Sequence, residues 1–345
     1  MELREFMYEL PRSLIAAYPS KARAAARLMV IQRRTGEFCH VEFSGLGDFL
    51  DPGDLLVLND TRVFPARLKG KKESGGKVEI LLIEPFSQWQ SFWLVLLDAA
   101  KSPQVGNRIF LADRIYAEVI GDLGKGRYGV RFHHPGEFSE VLAKLGEPPL
   151  PPYIHRQRCL SPLDWGRYQT VYASSPGAIA APTAGFHFTP QLLETLEMKG
   201  VERAFLTLHV GPGTFQPVRE EQVENHRMEG ERYELRTDTT AKINRTRKSG
   251  KRVIAIGSTT TRVLEWVARQ RGRVEPDEGI SRLFIRPGYP FRVIDGLITN
   301  FHLPGSTPLI LAAAFAGLDL IRRAYEEAIR LQYRFYSYGD AMLIL

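Results

Sequence analysis

Cysteine is scarce in this chain of 345 residues, which contains only Cys39 and Cys159. Two cysteines so far apart form neither a disulfide framework nor a Cys-x-x-Cys metal motif. Histidine pairs with the spacing of the His-Glu-x-x-His zinc motif are also absent. We therefore expect a protein without a bound metal that works in the reducing environment of the cytoplasm.

Long hydrophobic runs are missing as well. The longest, Leu309 to Leu318, is too short to span a bilayer, and the first five residues lack the apolar core of a secretory signal. The sequence has no complete dinucleotide-binding glycine motif and no nucleophile elbow, and its polar motifs contain no lysine for a Schiff base. These absences argue against a membrane protein and against the commonest dinucleotide and hydrolase sites.

Positive charge is in excess, since the formal net charge is +7. A basic protein attracts polyanions, and nucleic acid is the natural partner. Three basic clusters stand out: Lys69 to Lys72, His155 to Arg158, and Arg245 to Lys248 with Lys251 and Arg252. Taken singly, each is more often a solvated face, and contact with RNA phosphates is the functional alternative.

The residue pattern along the chain changes twice. Leu55 to Leu58 is a short apolar run that predicts a buried strand. Between 64 and 145, short β-rich runs separated by Gly, Pro and Asn are typical of a small barrel. The proline-rich stretch from Gly146 to Pro152 predicts a stiff connector. We place an inserted β-barrel domain at 64–145 and a discontinuous α/β catalytic domain at 1–63 and 146–345.

Strands and helices alternate after the connector. Thr189 with Pro190 predicts a helix start, a strand is expected from Arg203 to Val210, and a polar helix around Thr239 to Ser249. A further strand leads into a turn at Gly257 to Arg262 and a helix through Arg269. The predicted fold is α/β, with a mixed or largely parallel sheet and packed helices, interrupted by the small β-barrel.

Polar turns precede three of the predicted helices, at 182–188, 257–262 and 300–307, and a fourth polar segment, 209–215, ends a strand. If the strands before them are parallel neighbours, these loops meet at the carboxyl edge of one sheet, where open α/β folds bind ligands. Any one of them is also explained as an ordinary turn with a helix cap. Four such loops together favour a site.

Histidines occur inside or beside these loops at His187, His209, His226 and His302. Imidazole has the unperturbed pKa that suits proton transfer near neutrality. For each residue taken singly, a buried structural histidine or a helix cap is the alternative interpretation.

Six segments in order resemble the signature segments of one family, the S-adenosylmethionine:tRNA ribosyltransferase-isomerases of queuosine biosynthesis. They lie at 58–63, 151–154, 181–188, 209–215, 300–304 and 333–342. Two positions depart from the family pattern. Glu229 stands where the family often has a second histidine after His226, and Gly257-Ser258-Thr259-Thr260 replaces the usual Gly-Thr-Thr-Ser turn.

The resemblance implies an α/β domain interrupted by a barrel and an activity with two substrates. The family transfers the ribosyl part of S-adenosylmethionine to 7-aminomethyl-7-deazaguanine at the wobble position of tRNA, giving epoxyqueuosine, adenine and methionine. We therefore expect S-adenosylmethionine as co-substrate, tRNA as partner, no metal, no membrane association and a monomer in the cytoplasm.

That chemistry needs a base for the proton beside the sulfonium and an acid for the departing adenine. The catalytic candidates are His187, His209 and His302. The substrate-binding candidates are Asn59, Asp60, Arg62, Thr183, Gly185, Gly211, Gly213, Thr214, His226, Glu231, Gly257, Thr259, Thr260, Arg262, Asn300, Tyr338 and Asp340.

Within that set, Arg262 and the adjoining turn are expected to meet the methionine carboxylate, and Arg62 a phosphate. Aromatic rings at Phe186, Phe215, Tyr336 and Tyr338 are candidates for stacking on a splayed base, although rings at such places are more often core.

Two other interpretations stay open. A non-catalytic RNA-binding protein would bind tRNA in a salt-sensitive way without consuming S-adenosylmethionine. Another S-adenosylmethionine-dependent RNA enzyme, such as a methyltransferase, would release S-adenosylhomocysteine instead of adenine and methionine.

Overall fold

The computed structural model describes residues 1–86, 91–151, 166–211, 213 and 218–345. Within that part the strands are β1 (Arg27–Ile31), β2 (Phe38–Glu42), β3 (Leu55–Asn59), β4 (Thr61–Val63), β5 (Arg67–Lys72), β6 (Lys77–Pro85), β7 (Phe92–Asp98), β8 (Arg108–Ala112), β9 (Ile115–Asp122), β10 (Arg127–His133), β11 (Ser175–Ala178), β12 (Glu202–Leu208), β13 (Glu231–Leu235), β14 (Val253–Ile256), β15 (Asp277–Ser281), β16 (Gly296–Asn300) and β17 (Ala341–Ile344).

The helices of the same residues are short to medium in length. They are α1 (Phe138–Leu145), α2 (Pro190–Met198), α3 (Thr237–Lys248), α4 (Gly257–Arg271), α5 (Thr307–Ala316) and α6 (Leu318–Arg330). Single 3-10 turns lie at Leu3–Phe6, Arg12–Leu14, Arg23–Ala25, Phe43–Phe49, Thr183–His187 and Val223–Asn225. Thr189 caps α2 as predicted, because its hydroxyl oxygen accepts a hydrogen bond from Leu192 N at 3.1 Å.

Nine strands form one mixed sheet in the order β15-β13-β12-β3-β14-β16-β17-β1-β2. The four central neighbours β12, β3, β14 and β16 are parallel. Strands β13 and β17 run antiparallel to the outer two of these four, and β15 and β2 run antiparallel to β13 and β1. All five residues of β3 are buried, which explains its continuous apolar run.

Six strands close into an antiparallel barrel in the order β10-β7-β6-β5-β8-β9. Alternate residues of β6 point inward, and the barrel interior includes Val78, Ile80, Leu82, Val95 and Val130. This period of two is what the short β-rich runs predicted. The mixed sheet with its helices and the closed barrel together confirm the predicted fold class.

Contacts divide the chain into two compact units. One consists of Met1–Arg62, Pro152–Ser175 and Ala181–Leu345, and the other of Val63–Pro151 and Pro176–Ala180. The larger unit contains the nine-stranded sheet, and the smaller contains the barrel strands β5 to β10. The division predicted from the sequence, with an insert at 64–145 and a catalytic role for the remainder, stays a prediction.

The core of the larger unit lies on the sheet. Leu56, Leu58, Ile254 and Ile298 from the parallel strands pack with side chains from the 3-10 helix at Phe43–Phe49 and from α2. Helix α4 contacts β3, β14 and β16. Because the faces of the central strands are covered, we expect a ligand to bind at the edge of the sheet where the carboxyl ends of these strands lie.

None of the helices in the described ranges is both long and apolar enough to cross a membrane. The same residues contain no group of three or more His, Cys, Asp or Glu side chains arranged to hold a metal ion.

Candidate active site

One edge of the nine-stranded sheet gathers most of the predicted site. His209 follows β12, Asn59 ends β3, Gly257 follows β14 and Asn300 ends β16, and these four strands are parallel neighbours. Glu231 begins the antiparallel β13 and therefore lies at the same edge. Residues that are distant in the sequence thus converge, as expected of carboxyl-edge loops.

Two of the predicted turns have a different local structure. Segment 257–262 is not a turn before a helix but the beginning of α4, which starts at Gly257. The φ of +87° at Gly257 reverses the chain in a single residue, which glycine adopts at little cost. Segment 183–187 is a 3-10 helix that follows β11, outside the nine-stranded sheet. It reaches the edge by packing, since a Cβ at Gly257 would lie 3.5 Å from Ala184 Cβ.

Asn59 links two elements of this edge. Its amide nitrogen donates to Leu208 O at 3.0 Å and to Thr259 Oγ1 at 3.3 Å, and its oxygen accepts from Leu208 N and Thr61 N. The side chain is fully buried. Asn59 therefore holds the end of β12 and the start of α4 in place around the site.

Asp60 is buried and fully engaged by protein groups. Its carboxylate accepts hydrogen bonds from Thr207 Oγ1 at 2.6 Å, from Arg236 Nη2 at 2.8 Å and from Ser174 Oγ at 3.1 Å. The sequence interpretation missed Arg236, which lies 176 positions away along the chain. With three partners, Asp60 positions the surrounding strands, and its role as a direct substrate ligand stays a prediction.

Glu231 and Arg262 form a buried ion pair, with side chains only 3% and 6% exposed. Glu231 Oε2 accepts from Arg262 Nη2, and Oε1 accepts from Gly211 N at 3.2 Å. Burial lowers the pKa of Arg262 to about 10, so the guanidinium remains charged at neutral pH. Arg262 Nη1 has no hydrogen-bond partner among the residues that the structure describes.

A cleft opens beside this guanidinium. We call it the Arg262 cleft; it is lined by Met228, Ser258, Thr259, Arg262, Phe284, Ile285, Thr307, Pro308 and Leu311. His226 packs edge-on against Phe284, with ring centroids 5.0 Å apart, and burial lowers its pKa. The cleft thus combines a buried cation, the N-terminal turn of α4 and apolar walls, which suits a ligand with a carboxylate and an aliphatic chain.

His209 is a half-buried imidazole held from one side. Its Nδ1 lies 2.8 Å from Thr61 Oγ1, and its backbone N donates to Arg232 O at 2.9 Å. Burial, followed by the nearby Arg232, lowers the pKa of His209, so the ring is neutral at pH 7. A hydrogen bond to one ring nitrogen fixes the orientation of the other, as in catalytic histidines.

His187 lies in a second cleft of the same unit. This His187 cleft is lined by Pro19, Ser20, Arg23, Arg167, Phe186, His187, Ser337, Tyr338 and Gly339. Burial lowers the pKa of His187 to about 4. Within the described ranges, His187 Nε2 and Asn300 Oδ1 have no hydrogen-bond partner. Two buried polar atoms of this kind are what a polar ligand would satisfy.

Aromatic rings form one wall of the His187 cleft. Phe186 and Tyr338 stack with centroids 5.9 Å apart, and the Arg23 guanidinium lies 5.8 Å from the Phe186 centroid. Arg23 also donates to Phe186 O at 3.1 Å. The sequence interpretation named the two rings as candidates for stacking but not Arg23.

His302 points away from these clefts. Its Nε2 lies 2.8 Å from Thr299 Oγ1, its backbone N donates to the Tyr325 hydroxyl of α6 and its carbonyl accepts from the Tyr8 hydroxyl. Burial lowers its pKa to about 3. Of these three contacts only the one with Thr299 involves the ring, and His302 is not among the residues that line either cleft, so its catalytic role stays a prediction.

Asp340, like Asp60, is a buried carboxylate that holds parts of the chain together. Its carboxylate accepts from Arg27 N at 3.0 Å and from Arg334 N at 2.7 Å, and it pairs with the Arg27 guanidinium at 3.2 Å. Arg27 was another residue that the sequence interpretation missed. Its charge lies at the start of β1, and only the fold brings it to the carboxyl group.

Two glycines are required by close packing. A Cβ at Gly185 would lie 2.0 Å from the Tyr172 hydroxyl, and a Cβ at Gly213 would lie 2.9 Å from Glu229 Cγ. Glu229, the position where the resembling family often has histidine, therefore lies directly against Gly213.

The other predicted residues are placed as follows. Arg62 is exposed, Thr183 begins the 3-10 helix, and Thr260 Oγ1 donates to Ile256 O at 2.8 Å. Tyr336 contributes its carbonyl, which accepts from Asn300 Nδ2 at 3.0 Å. Thr214, Phe215 and the basic cluster 155–158 lie outside the described residues.

Comparisons with known proteins identify the family of this chain. A family model described as queuosine biosynthesis protein matches residues 3–344. Relatives from Trichlorobacter lovleyi and Geobacter metallireducens are 49% and 50% identical over 345 residues, with both chains covered completely, and both are named S-adenosylmethionine:tRNA ribosyltransferase-isomerase.

A crystal structure of an S-adenosylmethionine tRNA ribosyltransferase from Thermotoga maritima is also similar. It is 36% identical, with a TM-score of 0.56, over 99% of this chain and 100% of the other. These matches confirm the family that the six sequence segments predicted. Because the family model and the relatives align from end to end, the chain belongs to the queuosine biosynthesis protein family.

Proposed function

We propose that this protein is an S-adenosylmethionine:tRNA ribosyltransferase-isomerase. It transfers and isomerises the ribosyl group of S-adenosylmethionine onto 7-aminomethyl-7-deazaguanine at the tRNA wobble position, and releases adenine and methionine. Full-length relatives at nearly half identity that bear this name support the assignment. The excess of basic residues suits a tRNA substrate.

The observation that carries the proposal is the unsatisfied half of a buried guanidinium. Glu231 occupies one side of Arg262, which lines the Arg262 cleft, while Nη1 is buried and has no hydrogen-bond partner in the described part of the chain. A carboxylate is the natural partner of such a group, and the methionine part of the co-substrate has one. Ser258 and Thr259 in the first turn of α4 add hydroxyl groups and the favourable end of the helix dipole.

His209 is the residue that we assign as the base. It is neutral at pH 7 because burial lowers its pKa, and Thr61 contacts Nδ1, so we assign the proton transfer to Nε2. The proton to be removed is on the carbon beside the sulfonium, where the positive sulfur acidifies it. In this assignment Thr61 is a positioning residue that keeps the imidazole in one orientation.

The His187 cleft is the part of the site that we assign to a purine. Phe186 and Tyr338 line the cleft and provide stacking surfaces, and His187, which also lines it, has an Nε2 without a hydrogen-bond partner in the described ranges. A neutral imidazole forms a hydrogen bond with a ring nitrogen of the departing adenine. The alternative occupant of the same wall is the deazaguanine, which has a similar shape.

The test is turnover with defined substrates. Purified protein is mixed with S-adenosylmethionine and tRNA that contains the aminomethyl-deazaguanine base, and small molecules and digested nucleosides are measured by mass spectrometry. We expect adenine and methionine in equal amounts together with epoxyqueuosine. S-adenosylhomocysteine would identify a methyltransferase instead, and tRNA binding without turnover would identify a binding protein.

The same assay tests the base. His209→Gln should lower kcat by about 10²- to 10⁴-fold, the usual contribution of a general base. His40→Gln is the matched control, because His40 is an exposed histidine on β2, away from both clefts. An unchanged kcat in His209→Gln would remove His209 from the mechanism.

A further inference from the structure

The outer face of the barrel has a stripe made by one residue from each of four neighbouring strands. Lys71 of β5 pairs with Phe110 of β8, Phe110 with Tyr116 of β9, and Tyr116 with His133 of β10. The residues beside them, such as Ile109, Ala117 and Phe132, point into the barrel core. The four stripe side chains therefore point outward. We call them the aromatic stripe.

Two rings of the aromatic stripe are stacked on each other, and the third is tilted against them. Tyr116 and His133 are nearly parallel, with centroids 4.4 Å apart and planes at 10°. Phe110 stands 5.9 Å from Tyr116 at the other end and is 41% exposed. The plane of Phe110 is tilted by 42° to that of Tyr116, and its exposed ring offers an apolar surface to another ring.

Charged groups flank the rings. The Arg108 guanidinium lies 5.3 Å from the Tyr116 centroid, and Arg131 donates to Glu118 at 2.7 Å. Glu118 also lies 3.1 Å from His133 Nε2, and hydrogen bonds from Arg131 and His133 lower the pKa of Glu118. One carboxylate thus fixes the far end of the stack, while Arg108, Arg131 and Lys71 leave the surface positively charged.

We propose that the aromatic stripe is a separate tRNA contact, where an unpaired nucleobase stacks on Phe110 and the adjacent phosphates meet Arg108 and Lys71. The inference rests on the proposed tRNA substrate. Rings on a sheet surface combined with arginine planes are the usual means of binding unpaired RNA bases. A protein partner would instead favour an interface core depleted of charge, which this stripe is not.

The test is tRNA affinity of the full-length protein, measured by fluorescence anisotropy at fixed salt. Phe110→Ala should raise Kd by about 5- to 150-fold, the range for loss of one base–ring stack. Phe110→Trp should keep the wild-type Kd because it keeps a stacking surface. Arg108→Ala should reduce the slope of log Kd against log salt concentration by about one.

Phe86→Ala is the matched control. Phe86 is also 41% exposed and belongs to the same barrel, but it lies over Gly129 outside the stripe. Its loss should leave Kd unchanged. Equal weakening by Phe86→Ala and Phe110→Ala, or no weakening by Phe110→Ala, would overturn the proposal, because the stripe would then have no special part in binding.

Turnover separates this inference from the proposed reaction. In Phe110→Ala we expect a raised KM for tRNA, with kcat and the KM for S-adenosylmethionine unchanged. If the wild-type protein binds tRNA through the aromatic stripe but forms no epoxyqueuosine, the proposed reaction is wrong and the proposed tRNA contact is retained. If the wild-type protein turns over normally and Phe110→Ala leaves both KM and Kd for tRNA unchanged, the proposed tRNA contact is wrong and the proposed reaction is retained.

Discussion

Replacing Glu231 by glutamine removes the negative charge that faces Arg262 while the side chain keeps nearly the same size. The two side chains are almost inaccessible to solvent, and Arg262 already has one nitrogen without a partner in the described part of the chain. Removing one member of a buried ion pair costs about 3 to 5 kcal/mol, because the remaining charge loses its compensation. The glutamine oxygen can still accept a hydrogen bond, so we expect the lower end, about 3 kcal/mol.

That loss is measurable as thermal stability. For a unit of this size each kcal/mol moves Tm by about 2 to 4 °C, so Glu231→Gln should lower Tm by about 6 to 12 °C. The control is Glu202→Gln, which removes the same charge from the Arg245–Glu202 pair, whose side chains are 60% and 40% exposed. An exposed pair contributes at most about 1 kcal/mol, so that variant should remain close to wild type.

A second substitution tests the physical reason. Adding Arg262→Met to Glu231→Gln removes the uncompensated cation, so the double variant should be more stable than Glu231→Gln alone. Equal Tm losses in Glu231→Gln and Glu202→Gln would refute the reasoning, because burial would then make no difference to the pair.

Three further predictions follow from the same site. His187 should lower the free energy of unfolding by about 3 kcal/mol on acidification from pH 6.5 to 4. In this range the imidazole of the unfolded chain binds a proton, whereas the folded imidazole, with a pKa of about 4, binds it only at the lower end. Denaturation at several pH values should show a shallower fall in His187→Gln. Arg262→Lys should raise the Kd for S-adenosylmethionine about tenfold or more, because lysine lacks the planar fork, and titration calorimetry would contradict this with an unchanged Kd. Gly185→Ala should lose about 1 to 3 kcal/mol in urea denaturation, since its Cβ would lie 2.0 Å from the Tyr172 hydroxyl. Gly166→Ala is its control, because a Cβ at Gly166 would have no neighbour within 4 Å among the residues that the structure describes.

Much of the fold could be predicted from local patterns. The apolar run at Leu55–Leu58 is buried because β3 is covered on both faces, and the barrel strands alternate because each has one face in the barrel interior. The prediction of a turn at 257–262 was wrong, because the helix begins at Gly257 itself and the positive φ of this one residue takes the place of a longer turn. That backbone angle leaves no separate signal in the neighbouring sequence.

The edge of the site could be predicted, but the partners within it could not. Parallel strands bring their carboxyl ends together, so the polar segments 209–215, 257–262 and 300–307 were expected to meet with 182–188, which in fact follows β11 outside the nine-stranded sheet. The partners of Asp60 and Asp340, Arg236 and Arg27, come from distant parts of the chain and are selected by packing. The hydrogen bond from the backbone N of His302 to the Tyr325 hydroxyl likewise depends on the position of α6 and not on the motif around His302.

The central claim is that the ribosyl carbons of S-adenosylmethionine end up in the wobble nucleoside of tRNA. The most direct measurement uses S-adenosylmethionine with a uniformly ¹³C-labelled ribosyl group and mass spectrometry of the digested tRNA. The account predicts a wobble nucleoside that contains the intact labelled carbon skeleton, with unlabelled adenine and methionine released. Unlabelled tRNA, or label retained in S-adenosylhomocysteine, would contradict it.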